Sequence, residues 1–321
     1  MNAIVITPDN SISYQLFAQL AREAEDAGFS HVFIPEGTND SLMCAYAVAR
    51  ATSLIRITTY TSNIYYREPS LLAASAEMVQ NVSAGRFALG LGVGHRQSQA
   101  GLGIDMGKPR DKLRDYTIRL RDHFAGKAHP DFPVSFRTPD PAIPVYYAST
   151  TLETCRLAGE LADGLELYMS PARRSIDCAR AADEVAIARG RPADAIRILV
   201  GLPIFLDDDL ARAREQARGN LMFHLALPNY NRQLVKAGFE REGAALAEAA
   251  ARQDAGALKA AVSDAMLDAT SLVGPAGRCA DQLDQYRAET GGRALPIIFP
   301  FPFTGDYPGS VRSVIQAFGS G

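Results

Sequence analysis

The chain has 321 residues, of which 47% are hydrophobic and 21% are charged, and its formal net charge is -3. This is an ordinary globular composition with enough apolar surface for a core. It contains no basic stripe or arginine-rich run and no charge-poor apolar run long enough to span a membrane, so we expect neither a nucleic-acid nor a membrane partner.

The N-terminus and the cysteines indicate a cytoplasmic protein. The first residues, MNAIVITPDN, lack the basic leader and the cleavage site of a signal peptide. The cysteines form no CxxC pair, which favours free thiols in a reducing compartment and argues against structural zinc. The five histidines have no metal-ligand spacing either, so we expect no metal site. The four cysteines are Cys44, Cys155, Cys178 and Cys279.

Short β-branched runs alternate with helical patterns along the whole chain. In chain order, the predicted strands are residues 3–7, 31–35, 55–61, 86–92, 143–148, 164–169, 196–206 and 294–300. Ser13 is placed to cap the first helix and Gly28 to end it. A second helix is predicted over about 40–53, and a third begins at Pro69 and ends at Gly85.

This alternation predicts the fold. Continuous apolar strands separated by helices favour parallel pairing, because helices cover the outer face of such a sheet. Eight such units favour a closed (β/α)8 TIM barrel of the α/β class, and an open doubly wound sheet is the structural alternative.

Two insertions lengthen the predicted barrel, after strands 4 and 7. Residues about 127–142 are rich in Pro, Asp and Phe, and residues about 228–270 contain an Ala-rich amphipathic helix. That helix forms a lid, a dimer surface or an extra layer on the barrel wall. No low-complexity tract marks a boundary, so we expect a single domain over 1–321. The apolar positions of the helix are Leu246, Leu258, Val262 and Met266.

The fourth strand ends in the sequence Gly90-Leu91-Gly92-Val93-Gly94-His95-Arg96. Alternating glycines leave backbone N–H groups uncovered, so that an anion can approach them closely. The alternative is a tight barrel turn in which the glycines serve packing.

The fifth strand ends in Ala148-Ser149-Thr150-Thr151, directly before a helix. Hydroxyls and free N–H groups at a helix N-terminus form a natural phosphate site. The alternative is ordinary helix capping by Ser or Thr. Because the tips of neighbouring barrel strands converge, the fourth and fifth strands together predict one shared phosphate site.

Two further strand ends carry candidate residues. After the third strand, the small polar and aromatic residues from Tyr60 to Arg67 could line a planar ring system or form a surface loop. After the second strand, Glu36 is a candidate general acid or base, a ligand for a substrate amine, or a cap of the next turn. The chain has no GxSxG motif, and the absence of a strand lysine argues against a Schiff-base aldolase.

Four blocks of the chain resemble the bacterial luciferase-like superfamily. They are residues 21–37, 67–96 (REPSLLAASAEMVQNVSAGRFALGLGVGHR), 143–169 and 272–300, which cover most of the chain outside the insertions. The resemblance implies a (β/α)8 barrel, a homodimer, and either flavin mononucleotide (FMN) or the deazaflavin coenzyme F420 bound at the carboxyl face.

The resemblance also implies roles for the matching residues. The loop after the fourth strand and the residues that end the fifth strand would hold the cofactor phosphate. The third strand end, where many members have a non-proline cis peptide, would back the ring system. The implied phosphate residues are Gly92, Val93, Gly94, His95, Ser149, Thr150 and Thr151. The implied ring-backing residues are Tyr60, Thr61, Ser62 and Asn63.

Two departures from the family pattern stand out. Several deazaflavin-dependent members carry Asp-His after the second strand, where this chain has Glu36-Gly37. The histidine is absent here, so its role cannot be assigned to a residue of this chain. Glu36 stays the candidate acid or base. The usual glycine before the bulge is replaced.

Segment 143–169 resembles the deazaflavin-dependent reductases more than the flavin monooxygenases. We therefore expect hydride transfer between F420 and a small organic substrate. An FMN-dependent monooxygenase and a non-catalytic flavin-binding protein are the alternatives. The substrate pocket is expected from Met169, Ser170 and Pro171, from the 228–270 insertion, and from residues 299–303.

Overall fold

Eight parallel strands close into a barrel in the computed structural model, which describes residues 2–8, 12–37, 39–127, 136–149, 151–301 and 305–320. The eight barrel strands are β1 (Ala3–Val5), β2 (His31–Ile34), β3 (Arg56–Thr59), β5 (Phe87–Gly92), β6 (Val145–Ala148), β7 (Gly164–Tyr168), β8 (Arg197–Leu206) and β10 (Ala294–Pro300). They follow this order around the barrel, and β10 pairs with both β8 and β1. The predicted (β/α)8 TIM barrel is confirmed.

Two short strands extend the barrel at its carboxyl ends. β4 (Ser62–Asn63) pairs with the end of β5, and β9 (Leu272–Gly274) pairs with the end of β8. Both lie on the face where barrel active sites are found.

Fourteen helices are present in the described ranges. They are α1 (Tyr14–Asp26), α2 (Ser41–Ala51), α3 (Pro69–Val82), α4 (Arg96–Gly101), α5 (Pro109–Phe124), α6 (Leu152–Leu161), α7 (Ala172–Ala188), α8 (Leu210–Ala226), α9 (Pro228–Lys236), α10 (Glu240–Ala251), α11 (Ala255–Ala261), α12 (Asp264–Thr270), α13 (Ala276–Glu289) and α14 (Tyr307–Phe318).

The predicted helix ends follow from local chemistry. The Ser13 hydroxyl accepts a hydrogen bond from the Leu16 N–H at 3.1 Å, which caps α1. Gly28 and Gly85, after α1 and α3, have φ values of +83° and +82°, a conformation that favours glycine. Pro69 is the first residue of α3.

Side chains alternate between two cores along the strands. Leu165 and Leu167 of β7 point outward into the layer between barrel and helices. Phe33, Tyr146 and Leu199 belong to a smaller cluster inside the barrel. These side chains fill the middle of the barrel, beneath the strand tips of the carboxyl face.

The second insertion is built differently from its prediction. The single Ala-rich helix is wrong: the segment forms α9, α10, α11 and α12. Asp254 and Ser263 interrupt it, because their side chains accept hydrogen bonds from the N–H groups of Ala257 at 2.9 Å and Met266 at 3.2 Å and so cap new helices. The four predicted apolar residues are nevertheless buried in one cluster with side chains of α8.

The first predicted insertion falls partly on residues 128–135, which lie outside the described residues. After β5 the chain forms α4 and α5 before it returns to β6.

The four cysteines are buried free thiols. Within the described ranges, no helix has the length and apolar character needed to cross a membrane, and no group of three or more His, Cys, Asp and Glu side chains could hold a metal ion.

Candidate functional site

A cavity of about 420 Å³ opens at the carboxyl ends of the barrel strands. Its wall combines the tips of β5, β6, β7 and β10, the loops after β2, β3 and β5, and side chains from α8 and α9. Most of the residues predicted for the site meet here. Those in the wall are Glu36, Tyr60, Thr61, Asn63, Gly92, Val93, Gly94, His95 and Ser149.

The peptide bond between Tyr60 and Thr61 is cis, although neither residue is proline, and it separates β3 from β4. This is the strand end where the resemblance implies such a bond. The Tyr60 hydroxyl accepts a hydrogen bond from the Gly201 N–H at 3.0 Å and donates to the Leu167 carbonyl. Tyr60 therefore reaches across the barrel to the backbone of β7 and β8.

The Glu36 carboxylate is buried at the end of β2, with 1% of its side chain exposed. It accepts hydrogen bonds from Arg67 Nη2 and the Asn63 N–H, both at 2.6 Å, and from the Ser41 hydroxyl at 2.9 Å. That hydroxyl also contacts the Ser62 hydroxyl at 2.8 Å, so Ser62 lies behind the cavity wall. These bonds tie β2, α2 and β4 together.

Two of the three alternating glycines serve packing, as the alternative interpretation of this motif held. A Cβ atom on Gly90 would lie 2.1 Å from the Thr59 carbonyl oxygen and 2.3 Å from Glu166 Oε2. A Cβ atom on Gly92 would lie 2.2 Å from Thr61 Oγ1. Glycine at these positions lets the third and sixth barrel strands place larger groups beside β5.

Gly94 has a different role, since it lies in the loop after β5 with a φ of +67°. A Cβ atom there would lie 2.5 Å from Gln99 Nε2 and 2.7 Å from Asn63 Nδ2. The backbone N–H groups of Val93, Gly94 and His95 donate to no acceptor in the described part of the chain. Three consecutive free amides at a cavity wall form a site that suits an anion.

The residues after β6 are partly engaged with one another. The Ser149 N–H donates to the Glu166 carbonyl at 3.1 Å, and the Ser149 hydroxyl donates to the Thr151 carbonyl at 3.0 Å. Thr151 Oγ1 caps α6 by accepting from the Thr154 N–H at 3.2 Å. Helix capping, the alternative interpretation, therefore describes Thr151, and Thr150 lies outside the described residues.

A second cavity of about 500 Å³ adjoins the first. Val93, Gly94 and Ser149 belong to both walls. The second wall also contains three basic and two acidic side chains, and among the described residues Arg96 and Lys108 form no ion pair. The charged residues of this wall are Arg96, Lys108, Arg110, Asp111 and Glu153.

Glu166, which was not among the predicted site residues, lies on β7 in the wall of the first cavity. The residue is 3% exposed, and neither carboxyl oxygen has a hydrogen-bond partner among the described residues. Burial raises the pKa of Glu166 well above its usual value. The sequence did contain one indication of this residue, because Glu166 is the only charged residue in the apolar strand GLELY, at a position that faces the barrel interior.

Aromatic side chains form the upper wall; Tyr168 and His224 were not predicted, whereas His95, Tyr230 and Phe299 lie in segments that were. The ring of Tyr168 lies 5.9 Å from that of Tyr230 and 5.5 Å from that of Phe299, and Tyr230 lies 5.9 Å from His95. Burial lowers the pKa of His95 and, together with the charge of His95, that of His224; burial raises the pKa of Tyr230 to about 12. The wall is therefore apolar and uncharged at neutral pH.

The residues expected to form the substrate pocket are only partly in place. Phe299 and Phe301 line the first cavity, as do Asn229 and Tyr230 from the insertion. Residues 169–171 do not line it; Met169 is buried in the cluster beneath α8. Residues 302–303 lie outside the described residues.

Comparison with known proteins agrees with this architecture. The 5,10-methylenetetrahydromethanopterin reductase of Methanolobus tindarius is 26% identical to this chain over 281 residues, which cover 84% of the chain and 85% of that protein. The coenzyme F420 dependent tetrahydromethanopterin reductase of Methanopyrus kandleri has a TM-score of 0.77 at 20% identity, with 99% of this chain and 98% of that chain covered.

A further solved structure has the same fold. It is the oxygenating constituent of 3,6-diketocamphane monooxygenase from Pseudomonas putida in complex with FMN, with a TM-score of 0.71 at 16% identity and coverage of 99% of this chain and 96% of that chain. The family model of luciferase-like monooxygenases matches residues 3–294. Since this match spans most of the sequence, the chain belongs to the luciferase-like monooxygenase family.

Proposed function

We propose that the chain binds coenzyme F420 at the carboxyl face of its barrel and transfers a hydride between that cofactor and a small organic substrate. Members of the family are oxidoreductases and monooxygenases; of the similar structures, one is F420-dependent by name and another was solved in complex with FMN. The choice of F420 rests on the shape and charge of this site.

The observation that carries the proposal is the junction of the two cavities at Val93, Gly94 and Ser149. F420 consists of a planar ring system, a phosphate and, beyond the phosphate, an anionic glutamate tail, whereas FMN ends at its phosphate. The aromatic cavity suits the ring, and the free amides at the junction suit the phosphate. Beyond it, Arg96 and Lys108, which form no ion pair with any described residue, suit a further anion.

The chain's own residues then have distinct tasks. Tyr60 and Thr61 form the wall that backs the ring, and the Val93 to His95 amides hold the phosphate. Tyr168 and Tyr230 exclude water from the cavity, which prevents side reactions. When bound, F420 supplies the carbon that gives or accepts the hydride, and the barrel positions it against the substrate.

For Glu36, we propose that the main role is to position the third strand end. Its carboxylate lies in the cavity wall, which keeps it a candidate acid or base. Its hydrogen bonds to Arg67, Asn63 and Ser41 occupy it within the protein and favour the positioning role.

Titration of the purified protein with F420 and with FMN, followed by fluorescence, tests the cofactor. We expect tighter binding of F420, with an affinity that falls as salt is added, because charge pairing at the tail is screened. Tighter binding of FMN would favour the second candidate, an FMN-dependent monooxygenase, which the structural likeness to the P. putida protein supports. Binding without turnover of any substrate would favour a non-catalytic flavin-binding protein.

Charge variants separate the tail from the rest of the cofactor. Replacing both Arg96 and Lys108 by Ala should weaken F420 binding by roughly ten-fold or more, because two charge-assisted contacts are lost. The affinity for FMN should stay nearly unchanged. Arg252→Ala is a matched control, because Arg252 is exposed on α10 and pairs with Glu248 away from both cavities. An equal loss of affinity for F420 and for FMN would contradict the assignment of the second cavity to the anionic tail of F420.

We also infer a single domain over residues 1–321 and a homodimer. The pairing of β1 with β10 supports the single domain, because both ends of the sequence contribute to one barrel. Three exposed apolar side chains on the adjacent helices α2 and α3 support the dimer. They are Met43, Leu71 and Met78.

A further inference from the structure

Glu166 is a buried acid that no contact within the described chain explains. It is 3% exposed, both of its carboxyl oxygens lack a hydrogen-bond partner among the described residues, and it lies in the wall of the aromatic cavity. Buried polar groups are almost always hydrogen-bonded, so an unpartnered carboxyl group beside a ligand-sized cavity indicates that its partner is a ligand.

The local sequence makes room for this side chain. Along β7, Leu165 and Leu167 pack outward, which places Glu166 on the inner side of the barrel. Opposite it, Gly90 of β5 has no side chain, and any Cβ atom there would lie 2.3 Å from Glu166 Oε2. The strand pattern and the glycine together hold the carboxyl group at the base of the cavity.

The surroundings of Glu166 favour its neutral form. The titratable groups that face it are Tyr60 after β3 and Tyr146 on β6; burial raises the pKa of each, and a negative charge on Glu166 would raise it further. Burial is the cause that raises the pKa of Glu166 itself. With no cation beside it in the described residues, burial favours the neutral carboxylic acid over the carboxylate.

We propose that Glu166 is a cofactor-binding residue that recognises an imide edge, in which an N–H lies beside a carbonyl. A neutral carboxylic acid presents one donor and one acceptor side by side, which matches that edge with two hydrogen bonds. The ring systems of F420 and FMN both carry such an edge on their pyrimidine part. The inference rests on the proposed ring-binding function, and it holds for either cofactor.

Two variants test the match. Gln is nearly isosteric with protonated Glu and also presents a donor and an acceptor, whereas Leu presents neither. Glu166→Gln should bind F420 within about three-fold of wild type at neutral pH, and Glu166→Leu should bind it roughly ten-fold or more weakly, as expected for two lost hydrogen bonds to a buried group. Circular dichroism and thermal unfolding check that both variants fold.

The pH dependence supplies a readout that a packing role would not give. As pH rises through the pKa of Glu166, the wild-type protein loses its donor and should release F420, whereas Glu166→Gln should keep a flat affinity over the same range. A riboflavin analogue methylated at the imide nitrogen should bind wild type more weakly than riboflavin does, and Glu166→Leu should not distinguish the two.

The outcomes are separable. Unchanged F420 affinity in Glu166→Leu, or equal discrimination of the methylated analogue by wild type and Glu166→Leu, overturns the assignment of Glu166 and leaves the proposed function standing. A wild-type protein that binds neither F420 nor FMN overturns the proposed function and this inference with it.

Discussion

The carboxylate of Glu36 accepts a hydrogen bond from the backbone N–H of Asn63 at 2.6 Å, which fixes the strand after the cis peptide against the end of β2. The same carboxylate pairs with Arg67 at 2.6 Å, and Arg67 reaches Asp40 at 2.9 Å. One wall of the cavity thus depends on a charge cluster behind it.

We expect Glu36→Ala to lower the free energy of unfolding by about 3 kcal/mol, the lower end of the range for one partner removed from a buried ion pair, because Arg67 keeps Asp40. Urea unfolding measures the change. Glu68→Ala is the control, since Glu68 forms an exposed pair with Arg119 and should cost less than about 1 kcal/mol. Full stability of Glu36→Ala combined with a loss of turnover would instead favour the acid–base role.

Glu166 should make stability depend on pH in a defined direction. Its folded-state pKa is raised by burial, so the folded protein binds the proton more tightly than the unfolded chain does. Its contribution is therefore fully present below an unfolded pKa of about 4.3 and is lost as pH rises through the folded pKa.

Relative to Glu166→Gln, which does not titrate, the wild-type protein should lose about 1.4 kcal/mol per pH unit within that window. Chemical unfolding of both proteins at a series of pH values measures the difference. Parallel stability curves would show that the Glu166 pKa is ordinary.

Gly94 and Gly103 offer a matched pair in the left-handed region. Their φ values are +67° and +71°, but a Cβ atom would crowd Gln99 and Asn63 at position 94 and would meet nothing within 4 Å at position 103. Both Ala variants should lose roughly 1–2 kcal/mol of stability from backbone strain. Only Gly94→Ala should weaken cofactor binding, by about ten-fold, because the adjacent amides move. A similar loss of affinity in Gly103→Ala would contradict the assignment of the loop after β5 as the phosphate site.

The proposed dimer surface can be tested on α2 and α3. Met43 and Leu71 are 65% and 59% exposed, which is unusual for large apolar side chains on adjacent helices. Replacing both by Glu should convert a dimer to monomers, as measured by light scattering, since it places charge in an apolar contact. Ile187→Glu on α7, where the side chain is 54% exposed, should leave the mass unchanged.

The barrel was accessible from the sequence because each strand is a continuous apolar run, which the buried parallel sheet requires. The meeting of Gly94 and Ser149 in one cavity wall could be predicted because strand tips converge in this fold. The detailed contacts of the site were harder to predict. The glycine motif left anion binding and packing open, and the close approach of Gly90 to Glu166 and of Gly92 to Thr61 depends on three-dimensional packing.

The residues that were not predicted have two causes. His224 lies on α8 beside the second insertion, whose helices do not follow the barrel repeat, so the sequence does not place it over the strand tips. Glu166 sits inside an apolar strand, and only the structure shows that the position opposite it is a glycine.

Tyr60 limits how far the cavity at the carboxyl face extends into the barrel. Its ring lies 5.8 Å from that of Phe33 inside the barrel, and its hydroxyl is anchored to the backbone on the opposite side. The aromatic ring therefore closes the lumen beneath the strand tips. A smaller residue at position 60 would deepen the cavity toward Phe33, so this single side chain sets how deep in the barrel a ligand can bind.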